Sequence, residues 1–242
     1  MSRENALVVM MKYPEPGRVK TRLAPPLTGV EASRLYRCFI EDTFERIMPL
    51  AQCSDADERV SIHSAFTPLE KRGDVTKLLP AWIPLILQRG GDLGERLGNI
   101  FSDLIVSGYK RVVVIGSDSP DIPLAYIEYA FILLREKPGM VVLGPSEDGG
   151  YYLIGMDRAN KVPFEKISWG GDTVLRETIK RCGKGDIEVS LLPEWRDVDT
   201  IEDLEPLINS RHLPATTRFI NDYLGHITGD MKGSQIEVNC GK

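Results

Sequence analysis

Short apolar runs alternate with longer amphipathic stretches along most of the chain. Runs rich in β-branched and aliphatic side chains, bounded by glycine, proline or charged residues, predict buried strands. The predicted strands are Ala6–Met11, Arg59–Ala65, Ile83–Gln88, a run beginning at Val112, Met140–Leu143, Tyr151–Met156 and Ile187–Leu192. Their near-continuous apolar character is typical of a sheet that is covered on both faces.

Between these runs, apolar residues recur at helical spacing, most clearly at Leu35, Phe39 and Ile47. The predicted helices are Val30–Met48, a short helix from a capping box at Thr67 to Leu78, one that opens at Asp92, Pro123–Arg135, one capped by Asp172 that ends near Cys182, Ile201–Asn209 and Pro214–Leu224. Strands that alternate with helices indicate an α/β protein. We expect one domain over residues 1–224, a three-layer α/β/α sandwich with a mostly parallel sheet, followed by a polar tail, residues 225–242.

Composition and charge remove several classes of protein. The formal charge of −5 over 242 residues argues against a nucleic-acid partner. The four cysteines form no CxxC pair and the three histidines have no ligand-like spacing with them, so neither a zinc site nor a disulfide framework is expected. No apolar run is long enough to cross a bilayer, and the first residues do not resemble a signal peptide. We expect a cytoplasmic protein, and nothing in the sequence specifies its oligomeric state.

The stretch Val112–Pro123, VVVIGSDSPDIP, places two acids directly after a predicted buried strand. Ligands of open α/β sheets bind at the carboxyl ends of the strands, and carboxylates beside small residues suit a hard divalent cation that carries phosphates. Asp118 and Asp121 are therefore candidate ligands, with Ser117 beside them. The alternative is that one of them caps the helix that begins near Pro123.

The loop after the first predicted strand, residues 12–22, is unusually cationic for an acidic protein, and we call it the basic loop. It contains four cations and a single acid: Lys12, Arg18, Lys20 and Arg22, and Glu15. Cations around a glycine, Gly17, at the end of a first strand are suited to holding phosphate. A solvated loop is the alternative. Because the chain has neither GxxxxGK[ST] nor GxGxxG after a strand, a P-loop kinase and a Rossmann dehydrogenase are not supported.

Two further turns follow predicted strands and are rich in glycine. The first, RGGDLGER at residues 89–96, opens a helix, so its backbone could approach a phosphate or base closely; alternatively, its glycines only form the turn. The second, residues 146–150, we call the glycine turn. Its Asp148 is a candidate for orienting or deprotonating an acceptor, or it only sets the turn. Trp169 could close over a substrate or act as a hydrophobic plug.

Five sequence blocks, taken together, resemble a known family. KYPEPGRVKTRLAPPL, GDLGERL, VVVIGSDSPDIP, LGPSEDGGYYLIG and DVDTIEDL are similar to the DUF2064 group of bacterial proteins, which are described as candidate nucleotide-diphospho-sugar transferases of the glycosyltransferase-A type, a Rossmann-like fold. The resemblance spans roughly residues 6–210. The first block also resembles the 2-phospholactate guanylyltransferases, and DVDTIEDL recurs in several nucleotidyltransferases.

The resemblance implies a nucleotide-binding enzyme with a divalent metal, Mg²⁺ or Mn²⁺, on the acidic stretch after the fourth strand. The usual DXD motif is replaced by DSPD, and Pro120 fixes one backbone angle between the acids. The expected metal ligands are therefore Asp118 and Asp199, and Asp121 is left as a possible helix cap. Residues expected to bind the nucleotide or its phosphates are Lys12, Gly17, Lys20, Arg22, Gly91, Asp92, Gly94, Arg96 and Ser117. Those expected to bind the substrate are Gly149, Gly150, Tyr151 and Trp169, with Asp118 and Asp148 as catalytic residues.

Three functions follow from this pattern. The first is glycosyl transfer from a nucleotide-diphosphate sugar to a small-molecule acceptor, in which the basic loop neutralises the leaving phosphate. The second is nucleotidyl transfer from a nucleoside triphosphate to a phosphorylated acceptor, with release of pyrophosphate. The third is a sugar-nucleotide-binding module without turnover.

Overall fold

The computed structural model describes residues 3–53, 55 and 58–224. It contains seven strands: β1 (Arg3–Lys12), β2 (Val60–Thr67), β3 (Leu85–Leu87), β4 (Tyr109–Gly116), β5 (Val141–Pro145), β6 (Tyr151–Met156) and β7 (Val189–Leu191). They form one sheet in the order β3-β2-β1-β4-β6-β5-β7. All neighbouring pairs are parallel except those of β6, which runs antiparallel to both β4 and β5.

The reversed direction of β6 has a simple origin. The glycine turn connects β5 to β6 within a few residues, which permits only an antiparallel pair. The carboxyl ends of the other strands consequently lie at the same edge of the sheet as the start of β6. This arrangement confirms the mostly parallel sheet and gathers the loops after β1, β3, β4, β5 and β7 at one edge.

Helices cover both faces of the sheet. They are α1 (Gly29–Ala51), α2 (Arg72–Leu78), α3 (Leu93–Val106), α4 (Leu124–Glu136), α5 (Val174–Lys184) and α6, residues 214–224. Successive residues of β1 point to opposite faces, so that Leu7 and Val9 pack with α1, α4 and α6, whereas Ala6 and Val8 pack with α3 and α5. These two cores confirm the three-layer sandwich.

Local differences from the predicted elements have identifiable causes. The expected helix over residues 201–209 is a 3-10 segment, Glu202–Leu207, which contains Pro206; proline lacks the N–H that an α-helix needs. Asp172 does not cap α5, because Thr173 occupies the N-cap position, and its hydroxyl donates to the Glu177 side chain instead of capping the helix backbone. The capping box at Thr67 is also wrong, since Thr67 stays in β2 and pairs with Lys12.

The predicted tail, residues 225–242, lies outside the described residues. In the part of the chain that the structure describes, no helix is both long and apolar enough to span a membrane.

Candidate active site

A cavity of about 510 Å³ opens at the carboxyl edge of the sheet, between the basic loop, the start of α3, the end of β4 and the start of β6. Eight of the predicted site residues line it: Lys12, Lys20, Arg22, Arg96, Ser117, Asp118, Tyr151 and Asp199. Eight others do not: Gly17, Gly91, Asp92, Gly94, Asp148, Gly149, Gly150 and Trp169. The division between the two groups follows what each residue contacts.

Lys20 pairs with two of the acids that line the cavity. Its Nζ is 2.6 Å from Asp118 Oδ1 and 3.1 Å from Asp199 Oδ1, and only 4% of its side chain is exposed. Arg22 contacts the other oxygen of Asp199 at 3.1 Å and remains 70% exposed. Burial on its own would lower the pKa of Lys20, but the charges of Asp118 and Asp199 outweigh it, so that the pKa is raised and the ammonium is retained.

Two buried hydroxyls, those of Tyr36 and Ser117, form a pair next to the acidic stretch that follows β4. Tyr36, on α1, shares a 2.6 Å hydrogen bond with Ser117 Oγ, and its own oxygen accepts from the backbone N–H of Lys12 at 3.2 Å. Burial, with the nearby charge of Asp118, raises the pKa of Tyr36, so the phenol stays neutral. Tyr36 thus fixes the end of β1 relative to the loop that presents Asp118.

A third acid, Asp197, is half-buried and lines the same cavity as Asp118. It accepts hydrogen bonds from the hydroxyls of Ser119 and Ser146, two serines that are themselves almost fully buried. Burial raises the pKa of Asp197, the serine bond opposes the shift, and the charge of Asp118 adds to it. The backbone N–H of Val198 also donates to the carbonyl of Asp118 at 3.0 Å, so the DVDT segment is attached to the acidic stretch.

Asp121 is neither a cavity residue nor a helix cap. Its carboxylate accepts from Trp195 Nε1 at 3.1 Å and from Arg196 at 2.8 Å. Helix α4 begins after Pro123, with no side-chain cap. The capping interpretation is therefore wrong, and Asp121 anchors the segment that carries Asp197 and Asp199.

The turn before α3 uses most of its polar groups internally. Asp92 accepts from the N–H of Glu95 at 2.8 Å, which confirms it as the N-cap, whereas Glu95 accepts from the N–H of Gly91 at 2.7 Å and not from that of Asp92, so the predicted capping box is only half formed. Gly94 lies against the indole of Trp169, where a Cβ would be only 2.7 Å from the ring. The side chains that this turn gives to the cavity are Leu93, Arg96 and Leu97.

The glycine turn is likewise self-contained. Asp148 Oδ1 accepts from the N–H of Gly150 at 2.9 Å, which is an Asx turn. Gly149 has φ +86° and packs on the backbone of Asp172, where no side chain would fit. Trp169 stacks edge-on against Tyr151 with centroids 6.5 Å apart. These contacts favour the turn-forming interpretation of Asp148 and the plug interpretation of Trp169.

Sequence reasoning missed three residues of the site: Tyr36, Gln88 and Asp197. Gln88 follows β3 and donates through Nε2 to the carbonyls of Met11 and Ala65, at 3.0 and 2.7 Å, and it lines the cavity. The sequence signal for Gln88 was a glutamine at the carboxyl end of an apolar run. The sequence carries no signal for Tyr36, because it falls on the apolar face of a helix.

Two carboxylates at this edge are placed so that they could share one divalent metal ion. Asp118 and Asp199 converge on a single cation, the ammonium of Lys20. No group of three or more potential metal-binding side chains occurs within the described residues. Such a pair fits Mg²⁺ or Mn²⁺ when substrate phosphates complete the coordination, because Mg²⁺ is usually held by one or two carboxylates plus phosphates.

Known proteins resemble this chain in both sequence and structure. Residues 50–171 match the family described as an uncharacterized protein conserved in bacteria (DUF2064). A structure from Desulfovibrio desulfuricans G20, described as a candidate nucleotide-diphospho-sugar transferase, is 31% identical with a TM-score of 0.78, over 92% of this chain and 96% of that one. No curated protein matches the chain.

More distant structures share the fold. A CMP:2-keto-3-deoxy-manno-octonic acid synthetase complexed with CTP has 14% identity and a TM-score of 0.52, over 84% of this chain and 96% of that one. The molybdopterin-guanine dinucleotide biosynthesis protein A from Archaeoglobus fulgidus has 12% identity and a TM-score of 0.55, over 88% of this chain and 99% of that one. These likenesses confirm the predicted nucleotide-diphospho-sugar transferase fold.

Proposed function

This chain belongs to the DUF2064 family, and from that premise we propose that it is a nucleotidyltransferase that joins a nucleoside monophosphate unit to a phosphorylated small molecule. The observation that carries the proposal is the charge around the cavity. Five cations line it against three acids: Lys12, Arg18, Lys20, Arg22 and Arg96, and Asp118, Asp197 and Asp199. In a protein of net charge −5, this local excess suits a polyphosphate.

Other residues of the cavity suit a nucleoside. Leu93 and Leu97 offer apolar contact for a base, and Gln88 lines the same cavity. Because Nε2 of Gln88 is already used by two backbone carbonyls, the amide is held in a fixed orientation. A nucleoside triphosphate would thus extend from the start of α3 towards the basic loop.

The reaction is an in-line displacement at the α-phosphorus. A phosphate oxygen of the acceptor forms the new P–O bond, the bond to the bridging oxygen breaks, and that electron pair leaves with pyrophosphate. Lys12, Arg18 and Arg22 stabilise the charge that develops on pyrophosphate. Asp118 and Asp199 would hold the metal, which when bound supplies charge neutralisation between the phosphates.

Nucleotidyl transfer accounts for the acids better than glycosyl transfer does. An acceptor hydroxyl calls for a general base, whereas a phosphate oxygen is already deprotonated at neutral pH. Asp148 is taken up by its Asx turn and does not line the cavity, and Asp197 accepts from two serine hydroxyls. Asp148 is thus absent from the cavity lining, and both oxygens of Asp197 already accept hydrogen bonds.

Glycosyl transfer is the second candidate, with one specific observation in its favour. The structure that is 31% identical is described as a candidate nucleotide-diphospho-sugar transferase. In that reaction the basic loop would neutralise a departing nucleoside diphosphate, so the same cations serve either chemistry.

The product distinguishes the two reactions. A thermal-shift screen of nucleoside triphosphates and sugar nucleotides with Mg²⁺ or Mn²⁺ first identifies the donor, since a bound ligand raises the melting temperature. The selected donor is then incubated with a panel of sugar and polyol phosphates. Pyrophosphate release that depends on the acceptor supports the proposal; nucleoside diphosphate release from a sugar nucleotide supports the second candidate. Tight binding with neither product would indicate a binding module.

A further inference from the structure

Lys20 adopts a backbone conformation that its side chain does not favour. Its φ and ψ are +47° and +42°, in the left-handed region that glycine and asparagine usually occupy. It stands immediately before the short 3-10 segment Thr21–Leu23. Non-glycine residues persist in this region only where the surroundings hold them there, and such residues cluster at functional sites.

The side chain of Lys20 shows what holds it. Its Nζ lies over the ring of Phe39, 6.0 Å from the centroid, and reaches both Asp118 and Asp199. One acid follows β4 and the other belongs to the DVDT segment, so the lysine joins two distant parts of the chain. The side chain of Lys20 is only 4% exposed, and its ammonium lies between two carboxylates, in the position of a bridging cation.

We propose that Lys20 is a built-in counter-ion that competes with a divalent cation for Asp118 and Asp199. This inference rests on the metal-binding part of the proposed function. If the metal entered while Lys20 stayed in place, three positive charges would meet two carboxylates, with Arg22 adding a fourth. Phosphate oxygens of an incoming polyphosphate reduce that repulsion, because they accept hydrogen bonds from the Lys20 ammonium. The metal and the polyphosphate therefore bind together, and the metal alone binds weakly.

Mn²⁺ alone is the probe for the first test. Its affinity is measured by electron paramagnetic resonance and calorimetry, without nucleotide, for the wild type, Lys20→Met and Arg22→Gln. Methionine keeps much of the length of the stem and removes the charge, so we expect Mn²⁺ to bind Lys20→Met at least tenfold more tightly. Arg22→Gln loses the same charge from a 70% exposed side chain, where water screens it, and should change the affinity less than threefold.

A second measurement uses the wild type and so does not depend on the folding of a variant. Acetylation by an N-hydroxysuccinimide ester, read by peptide mass spectrometry, should be slow at Lys20, because its amine is buried and ion-paired. Saturating Mn²⁺ should increase labelling at Lys20 at least fivefold. Labelling at Lys77, which is 81% exposed, should stay the same.

Several results would overturn the inference. Equal or weaker Mn²⁺ binding by Lys20→Met, including no binding by either protein, would show that the ammonium does not compete. Labelling at Lys20 that is unchanged by saturating Mn²⁺ would show the same. The proposed nucleotidyl transfer is judged separately by nucleotide binding and pyrophosphate release, so it can fail while the Mn²⁺ result stands, and the reverse also holds.

Discussion

The basic loop and the glycine turn border the same edge of the sheet, yet they use their polar residues in opposite ways. In the basic loop, Lys20 and Arg22 form ion pairs with Asp199, which is more than 170 positions away along the chain, and both line the cavity. In the glycine turn, Asp148 bonds to Gly150, two residues on, and neither lines it. One region places its charges in the cavity; the other uses its polar groups to form its own turn.

The difference shows what a polar residue at a strand end can mean. Both regions follow strands and both contain glycine, so position alone does not separate them. What separates them is whether the side chain is satisfied locally. A carboxylate that caps its own turn is already stabilised by a backbone N–H, whereas Asp118 needs a cation from elsewhere in the fold.

Asp118→Asn should have the largest effect on catalysis. It removes the charge that faces Lys20 and the proposed ligand of the metal, so we expect pyrophosphate release to fall about 100-fold or more. The measurement is initial rate with the donor found by thermal shift, alongside a melting curve. Retention of more than a tenth of the rate in a folded protein would remove Asp118 from the chemistry.

Gly94→Ala should disturb the packing of Trp169 against Tyr151, beside the glycine turn, and leave the charged residues of the basic loop unchanged. The new Cβ would lie 2.7 Å from the indole of Trp169, so the ring would have to shift. That shift would disturb the contact between Trp169 and Tyr151. We expect a loss of about 2 kcal/mol in the free energy of unfolding, measured by urea denaturation.

The matched control is Gly73→Ala, because Gly73 is also the second residue of a helix and no atom lies within 4 Å of the position that a Cβ would occupy there. It should be neutral or more stable by up to about 1 kcal/mol. Equal effects of the two substitutions would show that Trp169 does not press on α3.

How far the sequence could predict this site depends on the range of each interaction. The N-cap bond from Glu95 N–H to Asp92 spans three residues and was predicted correctly. The strand ends, and hence the edge that carries Asp118 and the basic loop, followed from apolar runs and the parallel topology. The interactions of Lys20 with Asp199 and of Gly94 with Trp169 cross 179 and 75 positions, and local pattern carries no information about such contacts.

The same reasoning explains why Asp148 and Asp118 looked equivalent. Each is an acid after an apolar run and beside small residues, and only the folded structure shows that one lines the cavity. Tyr36 was missed for a related reason, because its ring packs in the core as an apolar residue would while its hydroxyl reaches Ser117.

Tyr36→Phe should weaken the charged side moderately. It leaves the core contact intact but removes the partner of the buried Ser117 and of the Lys12 N–H, so we expect a loss of about 1 kcal/mol in stability and several-fold in rate. A double-mutant cycle with Ser117→Ala measures the coupling by urea denaturation. Additive losses would show that the two hydroxyls do not act together.

Asp148→Asn should have the smallest effect and therefore provides the sharpest test of the contrast between the two regions. Asparagine keeps the oxygen that accepts from Gly150, so the Asx turn survives while the charge and any basicity are lost. If Asp148 only shapes the glycine turn, the rate should stay within about twofold of the wild type, and the free energy of unfolding should change by less than about 0.5 kcal/mol. If it deprotonates an acceptor, the rate should instead fall by about 100-fold or more with stability unchanged. That second outcome would move the glycine turn into the reacting part of the site and favour glycosyl transfer, because only a hydroxyl acceptor requires the base.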